Sequence, residues 1–256
     1  MSKPKIHTAK GLEEPICVDY DEAYTALKDG DVLDEHGLMS WGSNYTFLVT
    51  VKHNDKSFLA AYKPRMGERP LWDFPDGTLC QRETAAFVLS EMLAWYIVPP
   101  TILRQASRGI GSVQIFIDHD PNRHYFTLDE SHIPQLQRIA AFDALANNAD
   151  RKGGHCLLDA DDRIWSIDHG LTFHPSSKLR TVIWDFAGQR IPADILTDMK
   201  NLCTVLEDNS NPLRNQLFDL LRQNEFVAMQ LRLDKLVNMG KYPLPGPGPN
   251  RPWPAV

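Results

Sequence analysis

Two polar blocks separated by a hairpin pattern constrain this chain more than any other feature of its sequence. The blocks are residues 148–155 and 167–170, and between them two short apolar runs flank a polar turn. That alternation is typical of a β-hairpin. Facing Cα atoms in an antiparallel pair lie about 4.5–5.5 Å apart. We therefore predict that His155 and Asp168 emerge side by side, with Asp150 on the loop just before them.

Kinase-type phosphoryl-transfer sites bring a base, a metal ligand and a second metal ligand together in this way. Asp150 could orient an attacking hydroxyl or accept its proton, and Asp168 before Gly170 suits a metal-binding carboxylate. The plainer alternative for Asp150 is an aspartate satisfied by backbone N–H groups of its glycine-rich loop. The pattern as a whole favours an ATP-dependent phosphotransferase.

Composition limits the alternatives. The 256 residues carry a net charge of −6, which argues against a general nucleic-acid binder. The four cysteines are scattered and the N-terminus lacks the apolar core of a signal peptide, so reduced thiols in the cytoplasm are expected. The most apolar stretch, 84–98, is too short and too interrupted to span a bilayer.

The order of patterns predicts an α+β, two-lobed, protein-kinase-like fold. A small antiparallel-sheet N-lobe with one main helix over 79–96 precedes a mostly helical C-lobe. The expected divisions are an N-terminal extension at 1–37, an N-lobe at 38–120, a C-lobe at 121–242 and a proline-rich tail at 243–256. Within the extension, residues 1–20 are expected to be poorly structured and residues 20–33 to form a short helix. In the C-lobe, helices are expected from an N-cap at Ser131 to about 147, and over 193–207, 212–223 and 225–239.

Two charged residues in the first half fit the same chemistry. Lys63 ends an apolar strand where a lysine is unexpected, and Glu83 lies early in the following helix, where it could pair with Lys63. Taken singly, each has an ordinary explanation as a strand-end charge or as an acid near a helix N-terminus. The turn at Ser43 and Asn44 could lay N–H groups over phosphates, although one glycine makes a weak signal.

With those residues in place, the chain resembles the phosphatidylinositol 3/4-kinase superfamily, nearest its type II 4-kinase branch and a bacterial kinase-like group. The resemblance covers roughly residues 38–240. Five blocks carry it, in the same order: AYKP at 61–64, IVPPT at 97–101, GSVQIFI at 111–117, NADR at 148–151 and IDHGL at 167–171.

The resemblance implies a role for each candidate residue. Lys63 would contact the ATP phosphates and Glu83 would hold it, and a hinge at 114–117 would meet the adenine through its main chain. Asp150 takes the catalytic position and Asp168 the metal-binding position. His155 stands where such kinases carry asparagine as the second metal ligand, and imidazole suits manganese better than magnesium. The expected nucleotide-binding residues are thus Ser43, Asn44, Lys63, Gln114, Phe116 and Ile117, and the expected metal ligands are His155 and Asp168.

The implied partners are ATP, Mg²⁺ or Mn²⁺, and a hydroxyl acceptor that is a protein or a small molecule. A lipid acceptor is disfavoured, because the cysteine-rich membrane-anchoring insert and any basic amphipathic segment are missing. The tail could dock a partner, cover a groove or be disordered.

Three alternatives stay open. A pseudokinase or nucleotide-binding regulatory module is motivated by His155, and a nucleotidyltransferase would use the same site with ATP reversed. A metal-dependent phosphohydrolase would use Asp150, His155, Asp168 and His169 and leave Lys63 and Glu83 without a role. A zinc site at His155 and Cys156 is disfavoured, because adjacent strand residues point to opposite faces.

Overall fold

The computed structural model describes residues 2–10, 14–39 and 44–256, with only the backbone described at positions 34, 35 and 39. The strands among these residues are β1 (Lys5–Ala9), β2 (Pro15–Asp19), β3 (Asp31–Met39), β4 (Thr46–His53), β5 (Lys56–Pro64), β6 (Thr101–Ala106), β7 (Gly109–Ile115), β8 (Cys156–Leu158) and β9 (Ile164–Ser166). The α-helices are α1 (Tyr20–Asp29), α2 (Leu79–Met92), α3 (Ile133–Ala146), α4 (Ala193–Glu207), α5 (Pro212–Leu220) and α6 (Gln223–Met239).

The first lobe is built on an antiparallel sheet in the order β3-β4-β5-β7-β6. In β4 the apolar residues Phe47, Val49 and Val51 alternate with more exposed ones and are buried, as a sheet with one covered face requires. The sheet begins at Asp31, earlier than the expected position 38. Two register shifts between Leu33 and Gly37 interrupt the alternation by which a strand is recognised in sequence.

The prediction that residues 1–20 are poorly structured is wrong. β1 and β2 form an antiparallel hairpin that buries Ile6 and Val18. This hairpin reaches the connection between the lobes, where the Asp118 N–H donates to the His7 carbonyl over 2.9 Å. The helix expected over 20–33 ends at Asp29 and gives way directly to β3.

Helix α2 is buried along most of its length, from Leu79 to Ser90, with Gln81 partly exposed. It ends at Met92 rather than at the expected Tyr96. Ala94 and Tyr96 have φ values of 52° and 50°, a left-handed backbone that no α-helix continues through. Pro99 and Pro100 then lead into β6.

The second lobe contains α3, the β8–β9 hairpin and the helices α4–α6. The predicted hairpin is present, with Cys156 opposite Ser166. α3 begins at Ile133 because Ser131 lies in a preceding 3-10 turn, where Asp129 caps its N–H. The helix pair expected to meet near residue 224 instead divides between Leu220 and Gln223.

The proline-rich tail at 243–256 has no helix or strand, and it packs against the second lobe. Its Asn250 carbonyl accepts from the Thr181 N–H over 3.1 Å and from Trp184 Nε1 over 2.9 Å. Further on, the Ala255 carbonyl accepts from the Gly153 N–H over 2.7 Å. None of the helices in the described part of the chain has the length and apolar character needed to cross a membrane.

Candidate active site

Lys63 lies where three parts of the chain meet. It sits near the end of β5, opposite Ser112 of β7. Its Nζ donates to Glu83 Oε1 of α2 over 2.5 Å and to Asp168 Oδ1 over 3.0 Å. One ammonium therefore joins the sheet, the main helix of the first lobe and the segment after β9. Two residues chosen from the first half and one from the second are thus brought into direct contact.

Glu83 connects the two lobes through both carboxylate oxygens. While Oε1 accepts from Lys63, Oε2 accepts from the backbone N–H of His169 over 2.9 Å. Burial acts to lower the pKa of Lys63, but the carboxylates of Asp168 and Glu83 outweigh it and raise that pKa above its ordinary value. Lys63 is therefore a fixed positive charge at neutral pH.

Asp168 and His155 meet at the hairpin mouth as predicted. His155 Nε2 lies 3.2 Å from Asp168 Oδ2. Asp168 has a φ of 58°, and its side chain is 45% exposed, so one face of the carboxylate is open to a ligand. Desolvation opposes ionisation of this carboxyl, but the Lys63 ammonium holds its pKa well below the usual range.

The His155 ring is neutral near pH 7, because burial lowers its pKa to about 4. The Lys152 N–H lies 3.4 Å from Nδ1, so in this arrangement Nδ1 is the acceptor and the ring proton sits on Nε2, facing Asp168. The two side chains supply one carboxylate and one imidazole. Nε2 could ligate a cation only after that proton moves to Nδ1.

Asp150 lies on the loop that enters the hairpin. Its N–H donates to Asn148 Oδ1 over 2.9 Å, which fixes the start of the loop. Its side chain is 30% exposed, and Lys152 Nζ lies 3.6 Å from Oδ2. Burial raises the pKa of Asp150 to about 6, against the opposing charge of Lys152. A carboxylate titrating there can accept a proton at neutral pH.

Arg151 and Asp143 form a buried ion pair that sequence reasoning missed. Both side chains are fully buried, and Arg151 Nε and Nη2 donate to the two Asp143 oxygens over 2.9 and 3.0 Å. Arg151 Nη1 also donates to the carbonyls of His155 and Ile167, over 3.2 and 2.8 Å. The pair therefore fastens helix α3 to both sides of the hairpin mouth. The available signal was an aspartate within the apolar face of α3.

His169 belongs to this buried network rather than to the hairpin mouth. Its Nε2 lies 2.8 Å from Arg151 Nη2, and its ring packs edge-on against Phe142 with centroids 5.5 Å apart. Burial and the Arg151 charge hold the pKa of His169 well below its usual range, so the ring is a neutral acceptor.

Of the expected nucleotide-binding residues, Gln114 lies on the same sheet as Lys63. Gln114 is opposite Ala61 just as Ser112 is opposite Lys63, so the side chains of Gln114 and Lys63 share one face of the sheet. Gln114 Nε2 donates to Thr101 Oγ1 over 2.8 Å.

Some of the main-chain groups just after β7 already make hydrogen bonds within the protein. The Phe116 N–H donates to the Leu59 carbonyl over 3.0 Å, and the Ile117 carbonyl lies 2.8 Å from His119 Nδ1. Within the described ranges, the Ile117 N–H has no hydrogen-bond acceptor. Ser43 lies outside the described residues, and the Asn44 side-chain oxygen accepts from the Arg69 N–H over 2.8 Å.

No known family profile matches the chain. Among solved structures, it is similar to hydra Fam20 with sugar, at a TM-score of 0.51 and 14% identity, covering 86% of this chain and 87% of that one. It also matches the Helicobacter pylori proinflammatory kinase CtkA at a TM-score of 0.43 and 15% identity, covering 81% and 97% of the two chains. The predicted α+β, two-lobed, kinase-like fold is confirmed.

Within that fold class, sequence similarity defines the family. The chain is 36% identical to Protein Rv2133c of Mycobacterium tuberculosis (strain ATCC 25618 / H37Rv), over 92% of this chain and 96% of its relative. It belongs to the same family as that protein.

Proposed function

We propose that this protein is an ATP-dependent phosphotransferase that acts on a protein or small-molecule hydroxyl. The observation that carries the proposal is the contact of Lys63 Nζ with both Glu83 and Asp168. An ammonium held by a helix carboxylate beside a second, open carboxylate is what a kinase-type site uses to bind phosphates and their metal. A phosphohydrolase gives the Lys63–Glu83 pair no role.

The residues then divide the work. Lys63 binds the ATP phosphates, and Glu83 keeps its ammonium in place. Asp150 accepts the proton of the acceptor hydroxyl as that oxygen forms a bond to the γ-phosphorus. The bond from the γ-phosphorus to the β,γ-bridging oxygen breaks, and ADP leaves with that electron pair. For the adenine, we propose the main chain at 114–117, where Ile117 offers a free N–H among the described residues.

Asp168 and His155 are the side chains that would hold a divalent cation. The described residues contain no group of three or more His, Cys, Asp or Glu side chains arranged around a metal position. Phosphate oxygens would therefore complete the coordination, as is usual for Mg²⁺ in nucleotide sites. The single carboxylate and imidazole fit Mn²⁺ better than Mg²⁺. A cation held there would neutralise charge on the phosphates.

We also propose that the chain lies nearest the phosphatidylinositol 3/4-kinase superfamily among kinase-like proteins. Its support is that Lys63 and Asp168, from two separate resemblance blocks, are in contact, and that the Asp168 charge acts on Asp150, from a third block. A reducing, cytoplasmic setting is supported by the four cysteines, all of which are free.

A second candidate is a regulatory module that binds nucleotide without turnover. His155 favours it, because it stands where the kinases that this chain resembles carry asparagine, and its Nε2 lies 3.2 Å from Asp168 Oδ2. A nucleotidyltransferase would use the same side chains, and α-labelled ATP becoming attached to protein distinguishes that reaction.

Thermal shift with ATP tests the proposal first. ATP and Mn²⁺ at about a hundred times Kd add about 2.7 kcal/mol of stability, which for a chain of this size raises Tm by about 5–10 °C. Lys63→Met and Asp168→Asn should abolish the rise. Lys56→Met is the matched control, because Lys56 lies on the same strand but pairs with Glu22 at the surface.

Multiple-turnover ADP release then separates an enzyme from a regulatory module. Steady release that depends on Asp150 supports the phosphotransferase. Binding without release over many equivalents supports the regulatory module. If ATP leaves the wild-type Tm unchanged in the presence of Mg²⁺, Mn²⁺ and Zn²⁺ in turn, both the phosphotransferase and the regulatory module are contradicted.

A further inference from the structure

A short segment lies alongside the loop that carries Asp150. The Arg180 N–H donates to the Asn148 carbonyl over 2.9 Å, and the Arg151 N–H donates to the Arg180 carbonyl over 3.0 Å. The Val182 N–H then donates to the Arg151 carbonyl over 3.0 Å. These bonds form a parallel bridge in which Arg151 faces Thr181. Arg180 is therefore the neighbour of Asp150, and its backbone is fixed on both sides.

Side chains alternate across such a bridge, and this determines which residues face the acceptor. Arg151 and Thr181 are 0% and 3% exposed and point into the core. Asp150 and Arg180 precede them, so their side chains lie on the opposite, accessible side. Both are only partly buried, in agreement with that placement.

The charges around Asp150 are not balanced. Lys152 Nζ lies 3.6 Å from Asp150 Oδ2, whereas the Arg180 guanidinium has no hydrogen-bond or ion-pair partner in the ranges 2–10, 14–39 and 44–256. The nearby Lys178 is neutralised by Asp73 at 2.6 Å. Arg180 therefore presents an uncompensated positive charge beside the proposed base, and this charge acts to lower the Asp150 pKa.

We propose that Arg180 is a specificity-determining residue that binds an anionic group, a phosphate or a carboxylate, on a soluble acceptor whose hydroxyl meets Asp150. A guanidinium suits this because its planar N–H fork bonds two oxygens of such a group at once. The proposal rests on the proposed function and defines its substrate class. The reaction is unchanged: the acceptor oxygen gains the γ-phosphoryl group, its proton passes to Asp150, and ADP leaves.

Matched acceptor pairs test the proposal. ADP formation is measured with glycerol against glycerol 3-phosphate, glucose against glucose 6-phosphate, and glycerol against glycerate. We expect at least one anionic member to exceed its partner by tenfold or more in kcat/KM. Arg180→Gln should remove that preference, and Arg180→Lys should restore part of it. Arg123→Gln, at an exposed pair with Asp162, is the charge-matched control.

Binding measurements keep this test separate from that of the proposed function. Calorimetry measures inorganic phosphate and glycerol 3-phosphate binding to protein with and without a non-hydrolysable ATP analogue and Mn²⁺. We expect saturable binding that weakens tenfold or more in Arg180→Gln, while the Kd for the ATP analogue stays within twofold. Protein that binds these anions through Arg180 but never releases ADP contradicts the phosphotransferase and leaves the anion site standing.

Three outcomes would overturn the anion proposal. In the first, neutral and anionic acceptors give the same kcat/KM in wild type and in Arg180→Gln, and the affinity for the phosphate probes is also the same in both proteins. Another is a loss of ATP-analogue affinity in Arg180→Gln equal to its loss of anion affinity. The third is Arg180-dependent binding only to phosphatidylinositol-containing vesicles, which would assign the anion to a lipid headgroup.

Discussion

Replacing Asp143 by asparagine should destabilise the protein strongly, although residue 143 touches no proposed ligand. The Asp143 carboxylate accepts two hydrogen bonds from Arg151 and a third from Asn148 Nδ2 over 2.9 Å. Asparagine removes the negative charge and turns an NH₂ group toward a donor. Arg151 is then a fully buried cation without a counter-charge, a loss that typically costs about 3–5 kcal/mol.

For a chain of 256 residues, that cost corresponds to a fall in Tm of about 6–20 °C. Differential scanning calorimetry or a fluorescence melt measures it without any substrate. The control is Arg123→Gln, which breaks an ion pair whose side chains are 48% and 70% exposed and should shift stability by less than about 1 kcal/mol. A Tm change below about 2 °C for Asp143→Asn would refute the view that this pair holds the hairpin mouth together.

Other predictions concern the loop itself. The rate of ADP formation should fall as pH drops through about 6, because the Asp150 pKa is raised to about 6 and the protonated carboxyl cannot accept a proton; Lys152→Met should move that midpoint upward, and a flat profile from pH 5 to 8 would exclude Asp150 as the base. Gly153→Ala places a Cβ 2.7 Å from the Phe126 ring and should lower the free energy of unfolding by about 1–3 kcal/mol. The control is Gly154→Ala, whose Cβ would have its nearest atom at 4.0 Å and which should therefore melt like wild type. Equal Tm values for the two variants would contradict this packing. Removing the tail should lower Tm and slow ADP formation together; wild-type values for both would show that the tail does not support the loop.

Local patterns predicted much of the fold. The β8–β9 hairpin was predicted because two apolar runs flank a polar turn, and the side chains of His155 and Asp168 meet at its mouth as expected. Lys63 was found because a lysine at the end of an apolar strand is unusual. In each case the informative residues lie close together in sequence or break a clear periodicity.

The missed features depend on contacts between distant parts of the chain. Arg151 follows Asp150 in a polar stretch of sequence, and only its contact with Asp143 on the preceding helix shows why it is fully buried. The β1–β2 hairpin was missed because its strands are short and carry charges, and its stability comes from packing on the first lobe. The Asn44 side chain accepts from the backbone N–H of Arg69, which lies in an irregular loop that has no sequence periodicity.

The proline-rich tail has a consequence for how this family can vary. Proline restricts the backbone before folding, so a segment like 243–256 loses little entropy when it is laid across a surface. Its hydrogen bonds to the second lobe are accepted by main-chain carbonyls, at Asn250 and Ala255. Its length between those anchors should therefore be held more strictly than its amino-acid composition, since one inserted residue would shift the carbonyl that meets Gly153.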